Sequence, residues 1–120
     1  MPKISSEQKD FFDISMKWNE LLRLLGPAGK DFPFYRIRGR KEEKFFHARA
    51  TDQIIIVEAA KKQIPSANIT EPRVISFKQF KCVAERYNDY VRGVKGVRPE
   101  IRDKCGLVSS YIISLIASLF

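Results

Sequence analysis

The chain has 120 residues, 44% hydrophobic and 30% charged, which suits one domain (1–120) with one modest core and excludes wholesale disorder. Lysine and arginine total 22 against 14 acidic residues, a formal net charge of +8. Such a bias attracts nucleic acid or anionic lipid, and it can equally be a solvation device. The one long apolar run, Tyr111 to Phe120, is ten residues, about half of what a membrane span needs, so no membrane partner is expected.

The first helix is expected from Ser6 to Leu25. Ser5 and Gln8 have the spacing of a capping box. Phe11, Ile14, Trp18, Leu21, Leu22 and Leu25 form one apolar stripe, and Gly26-Pro27 stops the helix. Residues 26–31 read as a loop. Gly26, Gly29 and Lys30 do not make a phosphate loop, because no strand precedes the glycines and no Ser or Thr follows the lysine.

The middle reads as a small antiparallel meander. Phe34 to Arg40 alternates, with Tyr35 and Ile37 on one side and Arg36 and Arg38 on the other. A polar turn leads to a second strand, Lys44 to Thr51. Asp52-Gln53 turns into a third, Ile54 to Glu58, which is nearly all β-branched and expected to be central. Residues 61–68 form a loop around Pro65. Ile69 to Ile75 adds a short fourth strand that Pro72 confines to an edge or a bulge.

Helix resumes at Phe77 and runs to Val91. Ser76 and Gln79 form its capping box, and Ile75 and Phe80 occupy the staple positions. A short helix starts at Pro99 and runs to Lys104. Gly106 breaks it, and a last helix covers Ser109 to Leu119 with Ser109 or Ser110 as its cap. The fold class is therefore α+β: a small antiparallel sheet packed against an N-terminal helix and two or three C-terminal helices.

Residues 98–118 have the outline of a helix-turn-helix. The second helix would be the reading helix, yet it offers no Arg, Lys, Asn or Gln to base edges, so burial is expected instead. The better candidate is the basic ribbon. Arg36, Arg38 and Arg40 project to one face of the first strand, with Lys41, Lys44 and Arg49 near. Guanidinium groups grip phosphate bidentately, and phosphate contact dominates affinity for nucleic acid. Phe34, Tyr35 and Phe45 are interleaved and could stack on unpaired bases. The competing reading is an ordinary solvated sheet face on which Glu42, Glu43 and Glu58 pair with these cations.

His47 is the only histidine; it is expected on the same strand face as Arg49, as an ordinary partly buried residue. It makes no zinc site without other strong ligands. Asp52, Glu58 and Lys61 lack the spacing of a metal-dependent nuclease, and no triad is recognisable. No catalytic residue, metal or cofactor is assigned. Cys82 and Cys105 are expected as free thiols in a reducing, cytoplasmic compartment, since Met1 to Asp10 is polar and shows no secretory leader. A disulfide between them has no support in the sequence.

The C-terminal helix carries more apolar side chains than one side can bury. It is expected either to thread through the core or to pack in a homodimer interface through Tyr111, Ile112, Ile116, Leu119 and Phe120. Ser110, Ser114 and Ser118 recur every fourth position and would allow close approach.

The run from Ile75 through Tyr90, with Ser109 to Ile116, resembles small uncharacterised domains of bacterial mobile gene cassettes and restriction-associated loci. The resemblance implies a bacterial, cytoplasmic accessory protein and favours nucleic-acid association. The expected function is non-catalytic binding of nucleic-acid backbone through the arginine-rich strand. The alternative is a protein–protein or structural homodimer module.

Overall fold

The computed structural model describes residues 6–35, 41–67 and 69–120; for residues 6–12, 35 and 41–43 it describes the backbone alone. Eight elements follow one another: α1 (Ser6–Leu25), β1 (Lys30–Tyr35), β2 (Lys41–Thr51), β3 (Ile54–Ala59), β4 (Arg73–Ile75), α2 (Phe77–Val91), α3 (Val97–Cys105) and α4 (Ser109–Leu119). The fold is α+β, with four strands in the order β1-β2-β3-β4 and every neighbour antiparallel.

The apolar stripe of α1 is core: Ile14, Trp18, Leu21 and Leu25 are all buried. The sheet divides its residues by the two-residue period of a strand. Phe32 pairs with Phe46, Ala48 with Val57 and Ile55 with Ile75, and all six are buried under the helices. The opposite face carries Asp31, His47 and Glu58, which stand in register across β1, β2 and β3. The β2–β3 turn places Asp52 and Gln53 at φ 47° and 69°, the positive-φ pair that a two-residue hairpin matching the strand twist requires.

Helices α1 and α4 cover the sheet, α4 over β1 and α1 over β2. Helix α2 packs chiefly on α1, α3 and α4 and so forms a second row. Its capping box is complete: the Ser76 amide donates to Gln79 Oε1 at 2.9 Å and the Gln79 amide donates to Ser76 Oγ. Trp18 joins the rows, with its ring centroid 5.2 Å from that of Phe80.

Several features differ from the sequence reading: β2 begins at Lys41 instead of Lys44, and α3 at Val97 instead of Pro99. The first strand begins at Lys30 instead of Phe34, because Gly29, at φ +70°, turns the chain directly onto β2. Pro33 is tolerated there because β1 is an edge strand and one side of it makes no ladder. The fourth strand is only Arg73–Ile75, starting just after Pro72. Helix α4 is capped from Val108 without a side-chain cap, and the Ser109 hydroxyl donates instead to the Gly106 carbonyl at 2.6 Å.

Candidate nucleic-acid interface

Of the expected basic ribbon, Arg36, Arg38 and Arg40 lie outside the described residues, and of Lys41 only the backbone in β2 is described. Tyr35 and Lys41 are register partners. In sequence, the residues between those paired positions are Arg36-Ile37-Arg38-Gly39-Arg40, three arginines in five. Lys44 is exposed on β2 nearby. Arg49 stands apart from this group, since its Nε donates to Glu58 Oε1 at 2.6 Å across the β2–β3 ladder. Lys61 Nζ approaches the other Glu58 oxygen at 3.7 Å. The Arg49 hydrogen bond, against a smaller desolvation cost, holds the Glu58 carboxyl below its ordinary range. The competing sequence reading thus holds at Arg49, where cation and carboxylate pair.

His47 and Asp31 form a buried clasp on the same face. Asp31 Oδ1 lies 2.8 Å from His47 Nδ1, and both side chains are almost fully enclosed. The amides of Lys61, Lys62 and Gln63 donate to the Asp31 carboxylate at 2.7–3.0 Å. Burial opposes ionisation of Asp31, but these amides and the ring together outweigh it and hold its carboxyl far below the ordinary range. The second ring nitrogen, Nε2, is 2.9 Å from the Ala28 carbonyl. An oxygen thus faces each of the two ring nitrogens.

The segment after β3 thus crosses the sheet face to Asp31 on β1. It then returns to β2, where the Phe45 amide donates to the Pro65 carbonyl and the Ala67 amide to the Phe45 carbonyl. Gly29 makes room for the clasp: a Cβ there would stand 2.7 Å from His47 Nε2 and 2.3 Å from the Ala48 carbonyl oxygen. An Asp–His pair resembles half a catalytic triad. Here both nitrogens are occupied by main chain and carboxylate, and among the described residues no hydroxyl or thiol is hydrogen-bonded to the ring. Its work is to tie the α1–β1 turn, two strands and the 61–63 segment together.

Among the described residues no cluster of three or more His, Cys, Asp or Glu could hold a metal ion. Asp52 sits in the β2–β3 turn at the far end of β3 from Glu58.

The cysteines correct the expectation of free thiols. Cys82 of α2 and Cys105 of α3 are joined by a disulfide, with their Cα atoms 5.5 Å apart. Arg86 reinforces the same junction. Its Nε donates to Glu100 Oε1 at 3.0 Å and its NH1 to the Cys82 carbonyl at 2.8 Å, while Lys104 reaches the same Glu100 oxygen at 3.5 Å.

Most of the candidate interface helix follows the first of the two courses expected for it, through this chain's own core. Ile112 and Ile116 are buried within this chain, as are Ile113, Ser114 and Leu115. Tyr111 and Leu119 pack against the same core, and the Tyr111 ring lies 5.2 Å from Phe34 and 5.3 Å from Phe46. Only Phe120 is substantially open, at 43% exposure. The apolar excess that suggested a second subunit is covered by β1 and α2 instead. The same burial removes α4 as a reading helix in the major groove. No helix among the described residues is long and apolar enough to cross a membrane.

No family model, curated protein or solved structure matches this chain.

Proposed function

We propose that this protein is a non-catalytic binding domain that holds nucleic acid by its phosphate backbone, through Arg36, Arg38, Arg40, Lys41 and Lys44. The observation that carries the reading is the pairing of Tyr35 with Lys41. Between these partners the sequence carries three arginines in five residues, and Lys44, three positions after Lys41 in β2, is exposed. Arginine is the side chain best matched to phosphate oxygens, and clustering multiplies the counterions released on contact. Arg49, named with these residues on sequence grounds, is assigned to the Glu58 pair instead.

Fluorescence anisotropy with single- and double-stranded oligonucleotides tests the proposal. Four phosphate contacts on a duplex would weaken binding about 100-fold between 50 and 200 mM salt. Replacing Arg36, Arg38 and Arg40 with glutamine should weaken binding to every sequence alike and flatten the salt slope by roughly 2.7. Absence of binding at the lowest salt, or an affinity indifferent to salt, defeats it.

A further inference from the structure

We infer that the outer flank of α3, carrying Arg98 and Arg102, is a second phosphate-contacting surface of the same domain. The inference rests on the nucleic-acid reading above and places a contact that the sheet does not supply. Helix α3 buries Val97, Ile101 and Cys105 against the rest of the molecule. At about 100° per residue, these three define its inner side, and the other residues divide into two flanks. One flank is Glu100 and Lys104, which meets Arg86 of α2 and is closed by ion pairs. The other is Arg98 and Arg102, one turn apart, and both side chains are exposed.

Arg23, Arg49, Lys61, Lys81, Arg86, Arg92 and Lys104 each have a carboxylate partner. Among the described residues Arg98 and Arg102 have none, nor do Lys17, Lys30, Lys44, Lys62, Arg73 and Lys78; in Arg98 and Arg102 two such cations stand one turn apart on one helix. Asp103 is the carboxylate nearest in sequence, and it points about 100° around the helix from Arg102. Glu100, on the opposite flank, is engaged by both Arg86 and Lys104. The Arg86 hydrogen bond is the largest influence holding its carboxyl below the ordinary range.

The disulfide and the Arg86–Glu100 pair fix α3 to α2, so the cations stand on a rigid support. From Arg98 to Arg102 the flank rises roughly 6 Å, enough to face about two phosphates of one strand of a duplex. Arginine on a fixed helix loses less freedom on gripping phosphate than arginine on a mobile chain.

The test uses the full chain and a mixed-sequence duplex oligonucleotide, titrated by anisotropy from 50 to 200 mM KCl. Three proteins are compared: the natural chain, R98Q/R102Q, and R36Q/R38Q/R40Q. The α3 variant should bind more weakly than the natural chain and lose about 1.8 from the salt slope. Both substituted side chains are exposed, and an unchanged thermal midpoint confirms that the fold is intact. If R98Q/R102Q keeps natural affinity and slope while R36Q/R38Q/R40Q loses them, the flank is overturned and the sheet reading stands. If the α3 variant alone weakens, the flank stands and the sheet reading falls. If the natural chain ignores the duplex but binds vesicles containing phosphatidylserine, or binds neither, both are overturned.

Discussion

Replacing Asp31 with asparagine should unfasten the 61–63 segment, and the structure sets the scale. The carboxylate accepts from three main-chain amides and from His47. Asparagine keeps one oxygen, loses the charge, and turns an NH2 group toward donors. The three amides belong to an exposed segment and regain water, so the lasting cost falls on the buried His47 ring and on the lost charge-assisted bonds. A hydrogen bond to a charged group contributes about 1.5–3 kcal/mol, so the variant should lose about 2–4 kcal/mol, a fall of roughly 8–16 °C in midpoint for a chain of this size. Hydrogen exchange gives the local reading: the amides of Lys61, Lys62 and Gln63 should lose protection while those of α2 keep theirs. The pH dependence has a definite sign. A carboxyl held low in the folded state stabilises above its unfolded value, near 4, and that contribution disappears as pH falls below it. The acid limb of the stability curve should therefore shrink in D31N. A loss under about 0.5 kcal/mol, or unchanged exchange at 61–63, refutes the clasp as the fastening of this segment.

Three further outcomes follow from packing. Reducing the disulfide, or replacing both cysteines with alanine, frees a loop with sequence separation 23. It should cost about 3 kcal/mol by loop entropy, seen as a lower denaturant midpoint; an unchanged midpoint would show that the bond adds nothing. Gly29→Ala forces a Cβ to 2.3 Å from the Ala48 carbonyl oxygen at φ +70° and should cost at least about 2 kcal/mol. A Gly29→Ala chain as stable as its parent would mean the close approach to β2 is not real. Ile112→Asp places a charge in a fully buried site and should unfold the chain at every protein concentration. Recovery of a folded monomer in analytical ultracentrifugation would mean that Ile112 lies at a subunit interface after all.

The elements most legible in the sequence are those whose local chemistry and packing agree. Helix α2 is bounded by a capping box and by staple residues Ile75 and Phe80, and α1 by an apolar stripe ending at Gly26, so their limits could be read directly. The start of β1 was hidden because Gly29, Asp31 and Pro33 look like loop residues. Each has a reason visible only in three dimensions: backbone contact for Gly29, the amide cluster for Asp31, an edge position for Pro33. The clasp was half legible. His47 could be placed beside Arg49 by alternation, but its partner was 16 residues away in an apparent loop. The disulfide left one trace, since Val97, Ile101 and Cys105 recur every fourth residue and put Cys105 on the inner side of α3. That spacing says which way the thiol points and cannot say that Cys82 waits there.

Net charge says how many cations are in excess, and the ion pairs say where that excess lies. Glu58 engages Arg49 and Lys61, and Glu100 engages Arg86 and Lys104. Each of these carboxylates thus absorbs two cations that would otherwise count toward a binding surface. Asp31 absorbs none, because its charge is met by amides and the histidine ring. Spending carboxylates this way fastens the second face of the sheet and the α2–α3 junction, while Lys44 on β2 and Arg98 and Arg102 on α3 are among the cations with no acidic partner among the described residues. Surface cations paired with carboxylates add little to stability and must shed a partner before they meet phosphate. Those left unpaired have only water and counterions to release, which is the step that drives association with a polyanion. Binding should therefore follow substitutions at Lys44, Arg98 and Arg102 far more closely than substitutions at Arg49 or Arg86, although all five carry the same charge.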